Sequence, residues 1–163
     1  MRRVVVLGFF GAVTLALSVP VPGLAVACDL TGTTGNDSII GTPSNDVICA
    51  LGGKDRIDGR AGADELRGGP GRDTIYGGLG QDVLRGNDGA DTLLGQVAND
   101  HIVGGRGVDV LIGGGGSDLL RGGPGRDIID SRDNFHDVVR GGFGQDTCYV
   151  DPGDTMTGCE STP

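Results

Sequence analysis

The chain has 163 residues, 34 of them glycine, no tryptophan, 4% aromatic residues and a formal charge of −9. That is enough for one modest domain, but it is too poor in large apolar side chains for an ordinary globular core. It is also too acidic to attract nucleic acid or an anionic membrane surface. Glycine at this level points to disorder if it is unpatterned and to a repeat architecture if it is periodic.

Met1-Arg2-Arg3 is basic, Val4 to Val21 is almost wholly apolar, and Ala25-Val26-Ala27 is an A-x-A cleavage pattern. This is the anatomy of a secretory signal peptide over residues 1–27, and it leaves a mature chain of 28–163. Retention as a membrane anchor is the rival reading. The helix-breaking Pro20, Pro22 and Gly23 and the small-residue site favour removal, so no stable membrane insertion is expected after cleavage. Lipid attachment at Cys28 is disfavoured, because Ala25 stands where leucine is usual. Loss of Arg2 and Arg3 takes the formal charge from −9 to −11. Such a chain attracts cations.

An aspartate then recurs at every ninth position: Asp37, Asp46, Asp55, Asp64, Asp73, Asp82, Asp91, Asp100, Asp109, Asp118 and Asp127. One extra residue intervenes before Asp137 and Asp146 resume the spacing. Two positions after each aspartate sits an apolar residue or cysteine, from Ile39 and Ile48 through to Val139 and Cys148. Three residues of the form x-apolar-x fit a very short strand with its middle side chain inward. The glycine-rich half of each unit supplies the turn, since glycine takes left-handed backbone angles and leaves carbonyls accessible. The product is a coil of short parallel strands.

Stacked strands lie about 4.8 Å apart, and two carboxylates at that distance repel by roughly 1 kcal/mol even in water. A column of aspartates therefore requires a positive partner. Calcium, a hard cation that takes six to eight oxygen ligands, suits carboxylates and turn carbonyls; magnesium is stricter about geometry and holds its water. Zinc prefers Cys and His, and the chain's only histidines, His101 and His136, are isolated.

The unit is clearest at Gly68-Gly69-Pro70-Gly71-Arg72-Asp73-Thr74-Ile75-Tyr76 and recurs at Gly77–Arg85, Gly104–Ile112, Gly113–Arg121 and Gly122–Asp130. It resembles the hemolysin-type, or RTX, calcium-binding nonapeptide, G-G-x-G-x-D-x-apolar-x, over roughly residues 32–149. The resemblance implies an all-β fold: a right-handed parallel β-roll, a β-solenoid with two repeats per coil. It implies several calcium ions between turns two repeats apart. One edge would carry Asp37, Asp55, Asp73, Asp91, Asp109 and Asp127, and the other Asp46, Asp64, Asp82, Asp100 and Asp118. The insertion within Ser131–Asp137 leaves the edges of Asp137 and Asp146 open. Glycines at Gly68, Gly71, Gly77, Gly80, Gly104, Gly107, Gly113, Gly122 and Gly125 would complete the metal sites. The repeats that open with Thr42-Pro43-Ser44, Ala50-Leu51 and Gln96-Val97-Ala98 depart from the pattern, and a β-carbon there is expected to hinder the turn. Folding coupled to calcium binding outside the cell is the further expectation.

Four cysteines in an exported chain predict two disulfides. On the β-roll reading the two ends of the stack are too far apart to bridge, which leaves Cys28–Cys49 and Cys148–Cys159 pinning the terminal coils. A buried free thiol is the alternative for Cys148.

No H-E-x-x-H, G-x-S-x-G or phosphate-loop motif occurs, so neither an enzyme nor an organic cofactor is expected. Two functions fit: a secreted, calcium-stabilised structural or adhesive protein, or a calcium-dependent binding or carrier module for another protein or exported enzyme. An extracellular protein partner could dock on an outward apolar strip made by Leu94 with Ile112 and Val110 with Ile128.

Overall fold

A computed structural model of the protein describes residues 27–160. Residues 1–26, which hold nearly all of the predicted signal segment, lie outside the described residues. Fifteen strands follow in chain order. They are β1 (Leu30–Thr31), β2 (Ser38–Ile40), β3 (Val47–Cys49), β4 (Arg56–Ala61) and β5 (Glu65–Gly71). Next come β6 (Thr74–Leu79), β7 (Val83–Gly89), β8 (Thr92–Val97), β9 (His101–Gly107) and β10 (Val110–Gly115). The last are β11 (Leu119–Gly125), β12 (Ile128–Asp130), β13 (Val138–Gly144), β14 (Thr147–Tyr149) and β15 (Thr155–Thr157).

The odd-numbered strands form one eight-stranded sheet and the even-numbered strands a seven-stranded one, each in strict alternating order. All pairings are parallel. Each strand thus pairs with the strand two further along the chain, and two nine-residue units make one coil. The fold is all-β, a parallel β-solenoid of about 7 turns consistent with a β-roll.

The apolar residue of each unit points inward. Every one, from Ile39 to Cys148, is buried, and together they form a single core along the axis. Their partners in register are one another: Leu93 lies between Ile75 and Leu111, and Ile102 between Leu84 and Leu120. Burial of about 1.5–3 kcal/mol per Ile or Leu at one residue in nine is thin cover for a backbone this extended. The turns therefore have to contribute as well.

The extra residue within Ser131–Asp137 is absorbed in its turn, where Asn134 takes a φ of 77°. Register recovers at once, with Leu120 opposite Val139 and Ile129 opposite Cys148. Disulfides join Cys28 to Cys49 and Cys148 to Cys159, with Cα–Cα distances of 5.9 and 6.0 Å. Each closes one end of the stack, and Cys148 sits inward at the foot of the core.

Candidate metal sites in the turns

The aspartates line two edges, one per set of turns, and each is tied to its neighbour by the same bond. The backbone N–H of Asp55 donates to Oδ1 of Asp73 at 2.9 Å, and that of Asp64 to Oδ1 of Asp82 at 2.8 Å. The bond repeats up both columns. The insertion only lengthens the step: Asp118 reaches Asp137 and Asp127 reaches Asp146 across 19 residues instead of 18. Asp137 thus continues the edge of Asp118, and Asp146 that of Asp127.

Each carboxylate spends Oδ1 on this ladder, and the second oxygen is left over. Oδ2 of Asp55, Asp64, Asp73, Asp82, Asp91, Asp100, Asp109, Asp118, Asp127, Asp137 and Asp146 is buried and has no hydrogen-bond partner among the described residues. Buried polar atoms without partners are rare in folded proteins and call for a specific reason. Eleven in two ordered columns share one reason.

The glycine that opens each turn faces that oxygen. A β-carbon on Gly77 would come within 2.6 Å of Asp82 Oδ2 and 2.7 Å of the Gly95 carbonyl oxygen in the next coil. Gly59 stands likewise against Asp64 Oδ2 and the Gly77 carbonyl. Gly68, Gly86, Gly95, Gly104 and Gly122 repeat the arrangement, and Gly113 faces Asp118 Oδ2. In these turns a carboxylate oxygen and a carbonyl oxygen therefore approach the same bare glycine Cα. These residues fit a hard cation. Gly71, Gly80, Gly107 and Gly125 have a packing role. A β-carbon on any of them would strike the carbonyl of the residue 18 places earlier, so they set how closely the coils approach.

Burial strains the charges. Desolvation pushes Asp64, Asp91 and Asp100 up to about 7, and Asp55, Asp127 and Asp137 up to about 6. The ladder N–H opposes the rise, and the neighbouring carboxylates add to it. Asp73, Asp82, Asp109 and Asp118 are raised by the same burial.

The ends of the columns differ. Oδ2 of Asp37 accepts from the Thr33 N–H at 2.6 Å and the Thr33 hydroxyl at 2.9 Å. Oδ2 of Asp46 accepts the same pair from Thr42. At the other end, Asp154 takes the next rung: its Oδ1 accepts from the Asp137 N–H, and its Oδ2 from Asp151 N–H and the Ser131 hydroxyl. Glu160 accepts from the Asp146 N–H at 2.5 Å. Sequence reasoning missed Asp154 and Glu160, since they fall 17 and 14 residues after their partners. It also missed Gly59, Gly86 and Gly95, which the nine-residue step from Gly68 would have found.

The three irregular repeats still turn. Leu51, Gln96 and Ala98 take φ values of 79°, 84° and 86°. The expected hindrance thus appears as a strained backbone in a turn that nevertheless forms, and the Thr42 turn has become one of the hydroxyl-closed ends.

The RTX calcium-binding nonapeptide repeat (4 copies) matches residues 31–66, 58–93, 67–102, 94–129 and 133–156. No curated protein matches the chain.

Proposed function

The chain belongs to the RTX calcium-binding nonapeptide repeat family, and from that footing we propose a secreted protein that folds as calcium fills its turns. Calcium binding is what the repeats indicate. The finer reading rests on one observation: eleven buried Oδ2 atoms, eight of them beside a turn carbonyl, with no hydrogen-bond donor among the described residues. The residues that would hold the ions are these aspartates and the turn carbonyls opposite them. Bound calcium would supply positive charge between carboxylates that otherwise repel. Asp37 and Asp46, closed by threonine hydroxyls, would belong to metal-independent end turns rather than to ion sites.

Secretion is supported by the two disulfides, which persist in oxidising surroundings, and by the signal-like segment that ends at Ala27. RTX proteins are typically secreted, and the repeat is a structural calcium-binding one rather than an enzyme family. A structural or adhesive role outside the cell follows from a rigid rod that forms where calcium is plentiful.

One observation favours a binding or carrier module instead. Ile112 lies opposite Leu94, and Val110 opposite Ile128, on the outer face of the seven-stranded sheet. A Leu94→Asp/Ile112→Asp variant that lost a calcium-dependent partner in pull-down would support this second reading.

Far-UV circular dichroism with calcium and then with excess chelator tests the main proposal. A strand signal that disappears on chelation and returns with calcium supports it. An unchanged strand signal in chelator contradicts it.

A further inference from the structure

The outer faces of the two sheets carry different charge. On the eight-stranded sheet, Arg67, Arg85, Val103, Arg121 and Arg140 lie side by side in unbroken register across five strands. Of the outward acids on those strands, Glu65 is already bound to Arg67 and Arg85 at 2.7 and 2.6 Å, and the exposed Asp88 of β7 lies 3.8 Å from Arg106. Arg121 and Arg140 are exposed neighbours, and among the described residues neither has an ion pair or side-chain hydrogen bond. Like charges directly opposite each other on adjacent strands are destabilising. In a chain of formal charge −9, acids to separate them were plentiful. The opposite sheet has Arg56, Asp58 and Asp130 at the equivalent outward positions, with no row of one sign.

We propose that this arginine row is a docking face for a linear acidic polysaccharide lying along the solenoid axis. Guanidinium groups match carboxylate or sulfate oxygens in a fork. The row offers them at the strand spacing of about 4.8 Å, comparable to the rise of one sugar unit in an extended polymer. Beside it runs a parallel row of Val83, His101, Leu119 and Val138, all half-buried, whose three aliphatic side chains can lie under the C–H faces of sugar rings. The arginine row and the row beside it hold no Phe, Tyr or Trp on which nucleic-acid bases could stack; the exposed Phe143 of β13 lies three positions beyond Arg140. The face is presented broadside, so an extended peptide finds no free strand edge to extend.

The face exists only when the sheet is formed, so the inference rests on the calcium-coupled folding proposed above. The test uses the calcium-loaded full chain on immobilised heparin and hyaluronan, with neutral dextran as control. Arg121→Gln/Arg140→Gln is compared with Arg56→Gln on the opposite sheet. The expected result is retention on both acidic polymers and not on dextran. The double variant should bind at least tenfold more weakly and depend less steeply on salt, and Arg56→Gln should behave as the parent. Circular dichroism first establishes that all three are equally folded. No retention of the folded parent, equal retention of the double variant, or binding to anionic vesicles or DNA alone would overturn the proposal. Retention that persists in chelator with the strand signal intact would support the docking face and refute the calcium coupling instead.

Discussion

The backbone N–H of Asp73 donates to Oδ1 of Asp91 at 2.8 Å, one full coil further along the chain. The bond makes the acid a structural part twice over. It receives the coil before it through one oxygen and leaves the other free for a cation. Each rung therefore depends on the charge state of the next.

Substitutions along one column should separate inner from end turns. Asp91→Asn keeps the ladder acceptor but removes the charge, so it should lower the number of calcium ions bound and raise the calcium concentration at half-folding several-fold. Asp37→Asn should leave both nearly unchanged, because its oxygens already have donors in Thr33. A calorimetric calcium titration of the two variants checks this.

The threonine contacts should matter regardless of metal. Thr33→Val and Thr42→Val each remove a hydroxyl donor to a buried carboxylate and should cost about 1 kcal/mol or somewhat more. The loss should appear in calcium-saturated thermal melts without a change in calcium stoichiometry.

Acidity and calcium should oppose each other. Burial holds Asp64, Asp91 and Asp100 at about 7 in the metal-free fold, above the ordinary value of 3.8. The fold therefore binds protons more tightly than the unfolded chain. Its metal-free stability is greatest below the ordinary value and is lost as pH rises through about 7. Metal-free protein should gain strand signal on acidification from pH 7.5 to 5, and calcium affinity should fall over the same range. Pre-chelated protein followed by circular dichroism reads the first, and titrations at several pH values read the second.

Relieving the irregular turn should stabilise the rod. Gln96 and Ala98 hold φ values of 84° and 86°, a conformation costing about 1–2 kcal/mol for residues with a β-carbon. Gln96→Gly/Ala98→Gly should raise the calcium-loaded melting temperature by a few degrees, an outcome differential scanning calorimetry resolves.

The nine-residue spacing made the aspartate series and the inward apolar row legible before any coordinates, because period and strand geometry share one register, and the resemblance to the RTX repeat supplied the two edges. Both cysteine pairs followed from the distance between the ends. The closures of the columns were not legible. Thr33 and Thr42 occupy positions where glycine is usual, and nothing local distinguishes a hydroxyl turned toward a carboxylate from one in solvent. Asp154 enters its column only because the C-terminal chain folds back at a shorter step. The Gln96 turn was misjudged for another reason. Its neighbours on both sides, Gly78 and Gly114, pair with it in the sheet, and that pairing imposes a backbone the residue would not choose alone.

Hydrogen exchange at the ladder amides reads the central claim most directly. Calcium-loaded protein should protect the Asp55–Asp127 backbone N–H groups strongly, and chelation should release them to the rates of an unfolded chain. Equal protection in chelator, with no metal retained, would mean that the buried aspartate columns stand without cations and would contradict the account.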